Sequence, residues 1–139
     1  MSETPETSED AKLKVLIIED NAINAKLLTI YLQEAGFEVL HAADGYTGLG
    51  ISKDVEGINV ILLDRMMPDM DGLDVLRELK YGQKSWDVPV IMLTAALSSQ
   101  QIQEAKMTGA YDCLPKPYNK EKIIATINTA IASRRTGEG

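Results

Sequence analysis

Residues 60–72 read VILLDRMMPDMDG, and the fold can be worked outward from the point where this stretch changes character. Val60, Ile61, Leu62 and Leu63 form an apolar run too short for a helix and bounded by polar sequence, the pattern of a strand buried on both faces of a parallel sheet. Asp64 stands at the C-terminal edge of that strand. In open parallel sheets that edge is where ligands bind, so a carboxylate there is a candidate reactive group. Met66, Met67 and Pro68 follow, and proline cannot continue a central strand, so the backbone turns and leaves Asp64 at the rim. Asp71 and Gly72 then open the next helix.

The same alternation runs along the chain on both sides. Residues 14–18 form a second buried apolar run, stopped by Glu19, Asp20 and Asn21 much as Asp64 stops the later one. Ile23, Leu27, Ile30 and Tyr31 recur at helical spacing, and Gly36 lies where a left-handed cap is expected. Residues 37–42 read as a strand, and Asp44 caps a short helix to about residue 53, weakened by Gly45, Gly48 and Gly50. Leu73, Leu76 and Leu79 mark the helix after the opening stretch, and residues 89–93 are a fourth strand. Ser98 and Gln101 form a capping box for a helix to Met107, ended by Gly109, and residues 111–114 make a short fifth strand. Asn119 caps the last helix, with Ile123, Ile127 and Ile131 on one face and Arg134 and Arg135 near its negative end. Five strands alternating with five helices imply an α/β fold, a doubly wound parallel sheet with right-handed crossovers and flavodoxin-like order 2-1-3-4-5.

Composition narrows the function classes. The chain has 139 residues, 45% hydrophobic and 25% charged, which suits one domain with a real core. The expected division is a disordered acidic tail over residues 1–12, a folded domain over 13–133 and a flexible tail over 134–139. No apolar run reaches membrane-spanning length and the first ten residues are acidic rather than basic, so a cytoplasmic protein with no membrane partner is expected. Cys113 is the single cysteine, which permits no internal disulfide and no cysteine metal site. A net charge of −7 without a basic stripe argues against direct nucleic-acid binding.

In the order 2-1-3-4-5, strands one and three are neighbours, so Glu19, Asp20 and Asp64 converge at one edge. Three such carboxylates must hold protons or bind a cation, and an all-oxygen set suits Mg2+ retaining several waters. Thr94 and Lys116 end strands four and five. A hydroxyl, an ammonium and a divalent cation around one carboxylate are what phosphoryl transfer to that carboxylate requires.

Glu19-Asp20, Asp64 in LLDRMMPDMDG, Thr94-Ala95 after VPVIML and Lys116-Pro117 in GAYDCLPKP together resemble the receiver domain of two-component response regulators. The separations of 44, 30 and 22 residues between Asp20, Asp64, Thr94 and Lys116 agree, and the resemblance covers about residues 12–133. It implies a signalling phosphoacceptor rather than an enzyme: Asp64 accepts the phosphoryl group and belongs to the Mg2+ site, in which Asp20 is a direct ligand. Glu19 would act largely through water and Met66 through its backbone carbonyl. Thr94 would follow the phosphoryl group, and Lys116 would pair with the modified aspartate, aimed across the rim by a cis bond before Pro117. The partners implied are a histidine kinase or histidine phosphotransfer protein and a downstream protein target. Because only RRTGEG follows Ser133, a stand-alone receiver or one excised from a larger regulator or hybrid kinase is expected. Two positions depart from the pattern: Cys113 stands where receivers carry tyrosine or phenylalanine, and Arg65 follows the acceptor where an apolar residue is usual, reading as a solvated loop charge.

Other classes fit less well. A haloacid-dehalogenase-like phosphatase needs D-x-D, and Met66 occupies the second position. A flavin or dinucleotide module would need a glycine-rich turn where Glu19, Asp20 and Asn21 stand. A phosphorylation-independent pseudo-receiver used for docking is the remaining alternative, against which the intact acids, threonine and lysine argue.

Overall fold

The structure is a computed structural model that describes residues 12–81, 87–95 and 98–135. Apart from Lys12, the expected acidic tail lies outside the described residues, as do residues 136–139. Strands β1 (Lys14–Ile18), β2 (Glu38–Ala42), β3 (Ile58–Asp64), β4 (Val90–Thr94) and β5 (Asp112–Pro115) alternate with helices α1 (Ala22–Glu34), α2 (Gly45–Asp54), α3 (Gly72–Tyr81), α4 (Ser99–Thr108) and α5 (Lys120–Arg135). The five strands form one sheet in the order β2-β1-β3-β4-β5, with every pairing parallel. This is the doubly wound, flavodoxin-like arrangement that the alternation predicts.

Both faces of the sheet are covered, and the two-residue period of the strands sorts the core. Leu16, Ile18, Ile61 and Leu63 point to the side of α3 and α4, packing with Leu73, Leu76, Leu79 and Ala105. Val15, Ile17, Val60 and Leu62 point to the other side, with Leu28 and Leu32 of α1 and Ile123, Ile127 and Ile131 of α5. Gly48 lets α2 lie close on the sheet, because a Cβ there would stand 2.5 Å from Ile18 Cδ1. Helix α4 is lightly held: Ala105 is its one buried residue.

Two expectations need correction. In α1 the buried residues are Ala25, Leu28 and Leu32, whereas Ile23, Leu27 and Ile30 are 79%, 37% and 42% exposed. The helix carries two apolar stripes, and its start fixes which one turns inward: Glu19 Oε2 accepts from Asn21 N at 3.1 Å, and Asn21 Oδ1 accepts from Asn24 N at 2.9 Å. The last helix also runs to Arg135, past the expected boundary at residue 133. Arg134 donates to Ile58 O and to Asp87 Oδ1, both at 3.2 Å, and so ties the end of α5 to the base of the sheet.

Candidate functional site

Each candidate side chain leaves the end of a strand. Glu19 and Asp20 follow β1, Asp64 and Thr94 close β3 and β4, and Lys116 follows β5. The register sets Asp64 opposite Leu93 and Thr94 opposite Pro115, so β3, β4 and β5 deliver their last residues to one rim. The loop after β3 folds back under Asp64: Gly72 N donates to Arg65 O at 2.7 Å, and a Cβ on Gly72 would stand 2.6 Å from Asp64 O. Glycine is the residue that allows so close a return. Asp69 in the same loop accepts from Gly45 N at 3.0 Å and Tyr46 N at 3.3 Å, capping α2 from outside.

The geometry is that of an acid pocket with one cation. Glu19, Asp20 and Asp64 each offer a carboxylate oxygen, and these atoms lie within 4.8 Å of one another. Glu19 and Asp64 are buried, whereas Asp20 is exposed. Lys116 Nζ donates to Asp64 Oδ1 at 2.8 Å and stands 4.0 Å from Glu19 Oε1. The Lys116–Pro117 bond is cis, as expected. Met66 N points to Asp64 Oδ1 at 3.4 Å, while the Met66 side chain is exposed. Thr94 is buried at the end of β4, and its carbonyl accepts from Lys116 N at 3.0 Å.

Electrostatics follow from burial. Loss of water pushes the Asp64 carboxyl above its ordinary range; the hydrogen bond from Lys116 opposes this, and the Glu19 charge adds to the upward push. Three carboxylates against one ammonium leave two negative charges in a small volume. An all-oxygen, doubly negative cluster of hard donors fits a hydrated Mg2+ ion.

Two residues differ from the sequence reading. Tyr118 was not expected, yet its hydroxyl donates to Glu19 Oε1 at 2.7 Å, so both oxygens of that buried acid are held by protein donors. Its nearness in sequence to Lys116 was the available signal. Burial and then the Glu19 carboxylate keep the Tyr118 phenol protonated. Arg65 is no solvated charge: its side chain is only 16% exposed, with Nε 3.0 Å from Asp71 Oδ1 and a terminal nitrogen 3.9 Å from Glu104 Oε1. Cys113, at the position where an aromatic residue was expected, is buried; burial and then the Asp112 charge push its thiol up.

The family model for the response regulator receiver domain matches residues 15–128. The DNA-binding dual master transcriptional regulator RpaA of Synechocystis is 34% identical over 123 residues, covering 88% of this chain and 50% of the regulator. The chain thus spans about half the length of the curated relatives it matches. Among solved structures, the chemotaxis protein CheY4 of Vibrio cholerae superposes with a TM-score of 0.81 at 32% identity, covering 86% of this chain and 99% of that one. The CheX–CheY complex with BeF3 and Mg2+ from Borrelia burgdorferi gives 0.78 at 28%, covering 84% and 87%.

Proposed function

Because the chain belongs to the family of response regulator receiver domains, we propose that it takes up a phosphoryl group on Asp64 and passes that state on through protein contacts. The observation that carries this reading is the buried Asp64 carboxylate, held at 2.8 Å by Lys116 inside a cluster of three acids. Glu19, Asp20 and Asp64 would hold Mg2+, Glu19 largely through water, with the backbone carbonyl of Met66 as a further ligand. When bound, the ion supplies positive charge opposite the oxygens of the transferred group.

The chain's own residues do the rest. An oxygen of Asp64 attacks phosphorus, the bond from phosphorus to the donor's nitrogen or oxygen breaks, and the donor leaves with that electron pair. Lys116 moves from the aspartate to a phosphoryl oxygen, and the Thr94 hydroxyl donates to another. The Asp64 side chain is itself the acceptor, so the lasting product is the modified chain, which is signalling chemistry rather than enzyme turnover.

The phosphodonor would be a histidine kinase or histidine phosphotransfer protein. Ile23, Leu27 and Ile30 support a protein partner here, since they form an exposed apolar stripe that starts three residues beyond Asp20. A downstream protein would read the modified surface. With a net charge of −7 on the chain and no basic stripe in its sequence, the domain itself would contact no nucleic acid, whatever the longer regulators do. No helix among the described residues is long and apolar enough to cross a membrane, in keeping with a cytoplasmic site of action.

The test is incubation with acetyl phosphate and Mg2+, read as the gain of one phosphoryl group by intact mass. Asp64→Asn should take up none. Labelling of that variant at the wild-type rate would remove Asp64 from its role.

A further inference from the structure

The inward turn of Arg65 asks for a reason. Its backbone is pinned on both sides, the amide donating to Leu93 O at 2.9 Å and the carbonyl accepting from Gly72 N at 2.7 Å, so the side chain is the part free to move. That side chain starts one peptide beyond Asp64 and ends between two acids on different elements: Asp71, which also caps the opening turn of α3, and Glu104 in the middle of α4. The Asp71 contact, at 3.0 Å, is a close ion pair; the Glu104 contact, at 3.9 Å, is a loose one.

Arg65 also borders a crevice between β4, β5 and α4, which Met92, Thr94, Ile102, Ala105 and Cys113 help to line and which is too narrow to admit water. Thr94 therefore touches both the acid pocket's rim and this crevice. Cys113 has one heavy atom beyond Cβ and cannot span from strand to helix, whereas arginine has the length and a charge that responds to new anions. Helix α4 has Ala105 as its one buried residue, beside a partly buried Ile102 and a surface pair of Lys106 with Asp112 at 3.7 Å.

We propose that Arg65 is a positioning residue that carries the state of Asp64 to helix α4, gripping Glu104 while Asp64 is unmodified and releasing it when the phosphoryl group arrives. The phosphoryl group adds negative charge one residue away, and any shift of the Thr94 side chain toward it opens the crevice on which Arg65 lies. The guanidinium gives up Glu104 before Asp71, because the 3.9 Å contact is looser than the 3.0 Å one and its acid is half exposed. Release of Glu104 then frees α4 to shift. The inference rests on Asp64 being the phosphoacceptor, and its test separates the two.

The test uses the full chain labelled with 15N, beryllofluoride with Mg2+ as the phosphoryl mimic, and amide shifts in two places. Shifts at Asp64 and Met66 report loading; shifts across residues 99–108 report the helix. Arg65→Gln should load and lose the helix shifts. Glu104→Gln, a half-exposed substitution that leaves the core intact, should move the α4 amides part of the way to their loaded positions before any beryllofluoride is added. Cys113→Ala should load and keep the helix shifts. Wild-type helix shifts in both Arg65→Gln and Glu104→Gln, free and loaded, would overturn the proposal, as would their loss in Cys113→Ala alone. If Arg65→Gln fails to fold, Glu104→Gln decides by itself. Failure of the wild-type chain to load would instead sink the phosphoacceptor reading, and the proposal with it.

Discussion

Glu19 is fully buried, and both its carboxylate oxygens accept from protein donors, Tyr118 Oη at 2.7 Å and Asn21 N at 3.1 Å. A buried carboxylate that loses a donor keeps the full penalty of its desolvation, about 1–3 kcal/mol. Tyr118→Phe preserves the ring and deletes only that donor, so it should lower the unfolding free energy by this amount, read as a lower urea midpoint with the slope unchanged. An unaltered midpoint would mean that water replaces the hydroxyl. The convergence of Glu19, Asp20, Asp64, Thr94 and Lys116 was legible because position encodes it: each stands where an apolar run stops, and parallel order puts all such ends on one rim. Tyr118 was harder to see, since its partner lies 99 residues away and its nearness to Lys116 is the one local hint. The inward course of Arg65 was hidden, because it depends on the crevice beside Cys113 and on an acid in another element.

Among the elements, α1 shows where pattern reading fails. Its sequence, AINAKLLTIYLQE, offers one stripe through Ile23, Leu27 and Ile30 and another through Ala25, Leu28 and Leu32, and periodicity alone weighs them alike. The cap at Asn21, fastened to Glu19, sets the rotation and buries the second stripe. Leu28→Ala should therefore destabilise the fold by about 2–5 kcal/mol, as emptied core sites do. Ile23→Ala should change stability by less than ~0.5 kcal/mol, the usual range for exposed positions. Equal losses in thermal unfolding would contradict this orientation. The strands and the other helices were easier to read because their signals agree: in α4, Ser98 accepts from Gln101 N at 3.1 Å as the capping box predicts, and Asn119 accepts from Lys122 N at 2.8 Å at the start of α5. The glycines of α2 looked like weakness in sequence, whereas Gly48 gives the close approach to Ile18 that seats the helix.

At the scale of the molecule, the acid pocket opposes folding until a cation arrives. The Asp64 carboxyl is held above its ordinary value of 3.8, with burial the main cause, so the folded metal-free protein binds that proton more tightly than the unfolded chain. The stability this confers is complete below the unfolded value and is lost as pH rises through the raised folded value. Asp64→Asn, which carries no charge, should accordingly melt above the metal-free wild type at neutral pH. Each ~1 kcal/mol relieved corresponds to roughly 4 °C for a chain of this size. The gap should close as pH falls toward the carboxylate range, and it should also narrow when Mg2+ is added to the wild type; a constant gap across pH would show that ionisation of Asp64 is not its source. The light seating of α4 has a consequence of its own. Local opening needs less free energy where fewer apolar side chains anchor a segment, and α5 buries Ile123, Ile127, Ala130 and Ile131 against the single Ala105 of α4. In heavy water the amides of α4 will exchange well before those of α5, so the helix whose Glu104 meets Arg65 is also one that spends part of its time already undone.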